Sequence, residues 1–172
     1  MTTMRIFTSV LLLLFAFTIN AQQVDWLTWD EAVALTQNEG NNKKVFIDVY
    51  TDWCGWCKKM DKDTFQNPKV AAYMNEHYLM VKMDGEGKEP LELNGKTFNY
   101  VPSGKRGYHE LAAALLQGKL SYPTVVFLDK DLKMLSPVPG YQKVEPFMQI
   151  ARYFGDDIYK TQDWKTYSGI GK

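Results

Sequence analysis

The sequence predicts a layered α/β domain. Three observations predict it. Residues 45–50, 79–84 and 125–128 are short runs rich in β-branched and aromatic side chains, with the length of sheet strands. Segments with helix-start signals lie between and after them. Gly, Pro, Asn and Asp gather at the junctions, where chain reversals need them.

Taken in order, Thr28 is placed to cap a first helix, and Glu31 three positions on completes a capping box. Ala32, Val33 and Leu35 supply its apolar face, and Gly40 is the expected stop. Residues 45–50 form the next strand, where Asp48 is the anomalous charge in an apolar run. After Trp53-Cys54-Gly55-Trp56-Cys57, residues 58–65 read as helix. Asn67 caps a further helix with Pro68 in its first turn, running to about His77. Residues 79–84 return to strand. The stretch 85–120 reads as an insertion. Its first part is a hairpin, with 91–93 and 97–101 flanking Asn94-Gly95, and its second part is a helix over 108–117 ended by Gly118. A buried strand at 125–128 turns at Asp129-Lys130-Asp131 into a weaker strand that begins at Met134-Leu135 and ends at 137–140. Residues 144–154 form a closing helix, and a polar, aromatic extension with Trp164 and Tyr167 covers 156–172. Met83, Met134 and Met148 read as core filler.

Residues 1–21 have the pattern of a secretory signal: Arg5, an apolar run over 6–19, and a small residue, Ala21, before Gln22-Gln23. A retained membrane anchor is the alternative, but the run is short for a span. No Cys follows it to carry a lipid. An exported domain over 22–172, periplasmic or secreted, is therefore expected, soluble once the signal is cleaved and large enough for one hydrophobic core. With 20 basic and 20 acidic residues, charge gives no reason to expect nucleic acid or an anionic membrane as partner.

Cysteine usage is more informative. The chain has two Cys, Cys54 and Cys57, separated by two residues. A bridge over so short a loop barely constrains the unfolded chain, so stability is a poor reason for the pair. Zinc needs about four ligands, and only His77 and His109 are available to join the two Cys, at no ligand-like spacing. Covalent haem needs His after the second Cys; position 58 is Lys. Reactivity remains. A Cys between a strand and a helix start meets unpaired N–H groups that favour a thiolate. Cys54 is expected to attack a substrate disulfide, and Cys57, one turn on, to resolve the mixed disulfide. The alternative is a purely structural bridge.

The run from Val45 through Trp53-Cys54-Gly55-Trp56-Cys57-Lys58, together with Ser121-Tyr122-Pro123-Thr124-Val125, resembles the thioredoxin superfamily. It is closer to exported thioredoxin-like proteins, including the C-terminal domains of transmembrane disulfide reductases, than to thioredoxin. The resemblance covers about residues 43–150, and with it the core of the domain is expected over 43–155. It implies a central mixed sheet flanked by helices, with the inserted hairpin and helix preceding a cis-proline loop at Pro123. It also implies that Asp48 is the buried carboxylate that takes a proton from Cys57, with Lys82 as its neighbour. A backbone-satisfied Asp48 and a surface Lys82 are the plain alternatives. Trp53, Gly55 and Trp56 on one side and Tyr122 and Thr124 on the other are the implied substrate contacts; partial core packing is the plain alternative, stronger for Trp53 than for Trp56. Thioredoxin has Pro where this chain has Trp56, so its redox poise does not carry over.

The implied partners are protein or peptide disulfides and a thiol electron donor, a membrane reductase being one candidate. No metal or other cofactor is implied beyond the redox-active Cys pair. Reduction or isomerisation is expected over disulfide donation. The rival is a peptide-binding module in which the Cys pair is incidental.

Overall fold

The computed structural model describes residues 23–169. The reading of 1–21 as a signal lies outside the described residues. In chain order the elements are β1 (Trp26–Leu27), α1 (Trp29–Thr36), β2 (Lys44–Tyr50), α2 (Gly55–Met60), a π-helical turn (Asp61–Phe65), α3 (Pro68–His77) and β3 (Tyr78–Asp84). There follow β4 (Leu91–Leu93), β5 (Lys96–Phe98), β6 (Tyr100–Ser103), β7 (Arg106–His109) and α4 (Glu110–Leu115). The chain closes with β8 (Thr124–Leu128), β9 (Met134–Pro139), α5 (Val144–Gly155), a 3-10 turn (Ile158–Lys160) and α6 (Trp164–Ser168).

The main sheet has five strands in the order β1-β3-β2-β8-β9. β3 runs parallel to β1 and β2, whereas β2–β8 and β8–β9 are antiparallel. Side chains alternate across a strand, and that alternation builds two cores. Val45, Ile47 and Val49 of β2 face Trp29 and Ala32 of α1 and Leu111 and Leu115 of α4. Phe46 faces the other way, into Met60 of α2, Val70 and Met74 of α3, and Phe147 of α5. Phe46 stands edge-on to Phe65, Tyr78, Phe127 and Phe147, the arrangement that ring quadrupoles favour. Asp48 has the parity of Phe46, so it enters the layer that holds α2.

Local signals explain most boundaries. Thr28 accepts the Glu31 N–H while the Glu31 carboxylate accepts the Thr28 N–H at 2.8 Å, the expected capping box. Asn67 caps α3, and Pro68 begins it. The Asn94-Gly95 hairpin forms between β4 and β5 with both turn residues at positive φ.

Five expectations are corrected. The first helix ends at Thr36, and Gly40 serves the following turn at φ +88°. The helix expected over 58–65 starts at Gly55 and widens into the π-helical turn at Asp61. The strand expected over 97–101 is divided: β5 stops at Phe98, and Tyr100 and Val101 belong to a second hairpin, β6–β7. Tyr108 therefore lies in a strand, and the helix there runs only from Glu110 to Leu115. Leu and Ala content signals that helix, but Gly104 and Gly107 let the preceding residues pair across. Met83 is core, as expected, whereas Met134 is 37% exposed on β9, an edge strand of the sheet.

Candidate functional site

β2 leads the chain to Thr51, whose carbonyl accepts the Cys54 N–H at 3.0 Å. That turn sets Cys54 at the N-cap of α2 in extended backbone, where its Sγ accepts the Cys57 N–H at 3.1 Å. Cys54 and Cys57 are joined as a disulfide, with Cα atoms 5.3 Å apart. The two residues are 5% and 3% exposed, and Cys54 lies between surface indoles, Trp53 at 52% and Trp56 at 59%. Trp53 is thus half-exposed, as its alternative reading of partial packing also allows. The buried Cys pair is accompanied along the chain by two exposed Trp rings.

Asp48 pairs in register with Lys82 on one side and Val125 on the other. Its side chain is buried, and Lys82 Nζ approaches Asp48 Oδ2 to 3.3 Å. That is ion-pair distance without hydrogen-bond geometry: among the described residues, neither carboxylate oxygen of Asp48 has a hydrogen-bond partner. Lys82 gives its hydrogen bond to Asp61 at the start of the π-helical turn. Burial pushes the Asp48 carboxyl up to about 6; the Lys82 charge pulls it down, and Asp61 pushes it up again. Asp48 therefore holds or gives up a proton near neutral pH, on the face of the sheet against which the Cys57 helix packs. Asp61 is the site residue that sequence reasoning missed. Its acidity was plain, but only the fold brings it to a Lys 21 residues away.

The Tyr122–Pro123 bond is cis. Because Thr124 pairs with Val49, Pro123 sits at the end of the sheet where the 51–57 turn leaves β2. The Tyr122 ring stands edge-on to Trp53, centroids 5.9 Å apart at 87°. Its hydroxyl is pushed up to about 12 by burial and then by Glu86 and Asp84, so it stays protonated at neutral pH. Gly85 lies beneath that ring, where an added Cβ would come within 2.5 Å of the Tyr122 hydroxyl. Thr124 is not brought to the surface: it is buried, and its hydroxyl donates to the Ser121 carbonyl at 2.8 Å. Gly55 is exposed at the start of α2, where an added Cβ would meet nothing within 4 Å.

On the far side, Gly140 N–H donates to Pro123 O at 2.8 Å and Thr64 hydroxyl donates to Gln142 O at 2.6 Å. The tether carries Tyr141 to Trp56, ring centroids 5.4 Å apart, and its hydroxyl donates to Asp63 at 3.1 Å. Trp56, Tyr141, Val144 and Pro146 line an open groove of about 660 Å³ beside the Cys pair. Among the described residues, no three His, Cys, Asp or Glu side chains are grouped to hold a metal ion. The arrangement is fitted for thiol–disulfide exchange.

A family model described as Thioredox_DsbH, protein of unknown function, DUF255, matches residues 13–151. The chain belongs to this family. The thiol:disulfide interchange protein DsbD of Photorhabdus laumondii is 28% identical over 136 residues, covering 78% of this chain and 19% of that protein. Its namesake in Vibrio vulnificus is 45% identical over 109 residues, covering 62% of this chain and 15% of that protein. A Caenorhabditis elegans protein, B0495.5, is 28% identical over 117 residues, 68% of this chain and 14% of its own length. The chain thus spans less than a fifth of these relatives. Among solved structures, one titled DsbH Oxidoreductase superposes with TM-score 0.55 at 20% identity, covering 90% of this chain and 96% of that one. A thioredoxin-fold protein from Helicobacter pylori gives 0.57 at 20% identity over 75% and 80%. These superpositions establish the thioredoxin-like fold of this DUF255 domain. Among its described residues, no helix is long and apolar enough to cross a membrane.

Proposed function

We propose that the chain is a thiol–disulfide oxidoreductase that acts on disulfides of exported proteins through Cys54 and Cys57, as a reductase or isomerase. One observation carries this reading: the Cys54–Cys57 bridge lies at a helix start between two surface indoles, with a buried carboxylate, Asp48, raised to about 6 by burial, on the sheet face that this helix covers. In the reduced form, the Cys54 thiolate attacks one substrate sulfur, and the other leaves as a thiolate and takes a proton from water. Asp48 accepts the Cys57 proton, and the Cys57 thiolate attacks Cys54 sulfur. The substrate's second thiolate departs, so the substrate gains two electrons and the chain returns to the disulfide. A thiol donor then reduces the bridge. In isomerisation, the released substrate thiolate attacks a second disulfide of the same substrate, and the thiolate freed there attacks the substrate sulfur of the mixed disulfide and expels Cys54 as its thiolate.

The names of the DsbD relatives support exchange as the chemistry, and the apolar leader over 1–21 supports export. A disulfide donor would run the same steps in reverse. Equilibration with glutathione redox buffers tests the direction. A potential well below that of strong disulfide donors, about −120 mV, is expected, and a value near that figure overturns the reductive reading. A binding module would instead hold peptides equally well with both Cys replaced by Ser and would not accelerate insulin-disulfide reduction.

A further inference from the structure

The 85–120 insertion reaches Trp53, the residue before Cys54, through the side chains of Glu86 and Arg106. His109 N–H donates to Gly85 O, and Gly85 N–H donates to Tyr50 O, both at 2.7 Å, so β7 is fastened to the end of β2 and β3 that carries the site. His109 is buried; its Nδ1 accepts the Leu111 N–H, and its Nε2 lies 3.0 Å from Glu89 O, pinning the base of the hairpin. Gly107 is closed in as well, since a Cβ there would come within 2.3 Å of the Tyr100 ring and 2.4 Å of Val101 O. From this rigid base, Arg106 projects across the site, its guanidinium 4.4 Å from the centroid of Trp53, the residue before Cys54.

Arg106 is exposed and makes no ion pair among the described residues. The ring beneath it is held from its edge, because Trp53 Nε1 donates to Glu86 Oε1 at 3.0 Å. Stacking on an indole fixes the plane of a guanidinium while its N–H edge stays open to a bidentate acceptor. The hairpin adds Lys105 beside it and carries no Asp or Glu from 100 to 109. Lys88 lies over its Tyr100 ring at 5.9 Å. The nearby carboxylates are turned to internal tasks: Glu86 to the indole, Asp84 to the Glu86 N–H at 2.9 Å. Asp52 and Glu89 are exposed carboxylates in the neighbouring segments and would oppose an acidic ligand.

Resting on the oxidoreductase reading, we infer that Arg106 selects substrates by binding a carboxylate that flanks the substrate cysteine, so the preferred partner is an acidic peptide segment. The inserted hairpin is then a specificity wall added to a general exchange site.

Three ten-residue peptides test this, each with one Cys capped by glutathione and flanked by paired Glu, Gln or Lys. Their exchange with the reduced full chain is followed at low and high salt. The Glu peptide is expected to react at least about fivefold faster than the Lys peptide at low salt, and the gap should shrink at high salt. Arg106→Glu should invert the order, and Arg106→Lys should keep its sign with a smaller ratio. Equal rates for the Glu and Lys peptides, or a faster Lys peptide, overturn the inference while leaving exchange standing. If Arg106 merely braces Trp53, Arg106→Gln slows all three alike with the ratio intact, which also overturns it. No exchange with any peptide removes the oxidoreductase reading itself.

Discussion

Lys82 approaches Asp48 to 3.3 Å yet gives its hydrogen bond to Asp61. A buried carboxylate is thereby left half-compensated, with its pKa raised from 3.8 to about 6. The sign of the consequence is fixed. The folded chain holds the Asp48 proton more tightly than the unfolded chain does, so stability from this group is greatest below about pH 4. It falls as pH rises to about 6 and is flat above that.

Asp48→Asn should therefore stabilise the oxidised protein at pH 7, by about 1–3 kcal/mol for a shift of this size. The gain should vanish near pH 4. Urea unfolding at the two pH values measures it, and a destabilised variant at pH 7 would show that Asp48 is well compensated after all. The same variant should slow closure of the Cys54–Cys57 bridge, because the proton acceptor is gone.

Asp61 and Lys82 act on Asp48 in opposite directions. Asp61→Asn should lower the Asp48 pKa below about 6, and Lys82→Met should raise it. Carboxyl NMR titration of the oxidised protein reads both shifts directly. Unchanged titration in both variants would mean that the three groups are not coupled.

Two glycines near the site should respond differently to alanine. At Gly85 a Cβ would press on the Tyr122 ring, whose edge packs against Trp53. Gly85→Ala should cost about 1–3 kcal/mol and raise the KM for peptide disulfides. At Gly55 a Cβ meets nothing within 4 Å, so Gly55→Ala should change stability by about 0.5 kcal/mol or less. Thermal unfolding compares the pair, and equal losses would contradict the packing of Tyr122 on Gly85.

What was legible in the sequence depended on range. The strands at 45–50, 79–84 and 125–128 announce themselves because burial on both faces demands unbroken apolar runs. The capping box at Thr28 and the Asn94-Gly95 hairpin are local chemistry and read correctly. The thioredoxin-like site was legible because Cys54, Cys57 and Pro123 lie within recognisable segments. β1 was not, since two residues pairing with Met80 and Val81 carry no periodicity. β6–β7 was not, because Pro102, Gly104 and Gly107 obscure its alternation. Arg106 and Asp61 are ordinary surface charges in one dimension, and only chain reversals bring them to Trp53 and Lys82.

Mass spectrometry of single-Cys variants incubated with a model protein disulfide tests the exchange chemistry most directly. Cys57→Ser should accumulate a mixed disulfide through Cys54, released by dithiothreitol, and Cys54→Ser should form none and show no turnover. Equal adducts on both variants, or none on either, would contradict an attacking Cys54 and a resolving Cys57.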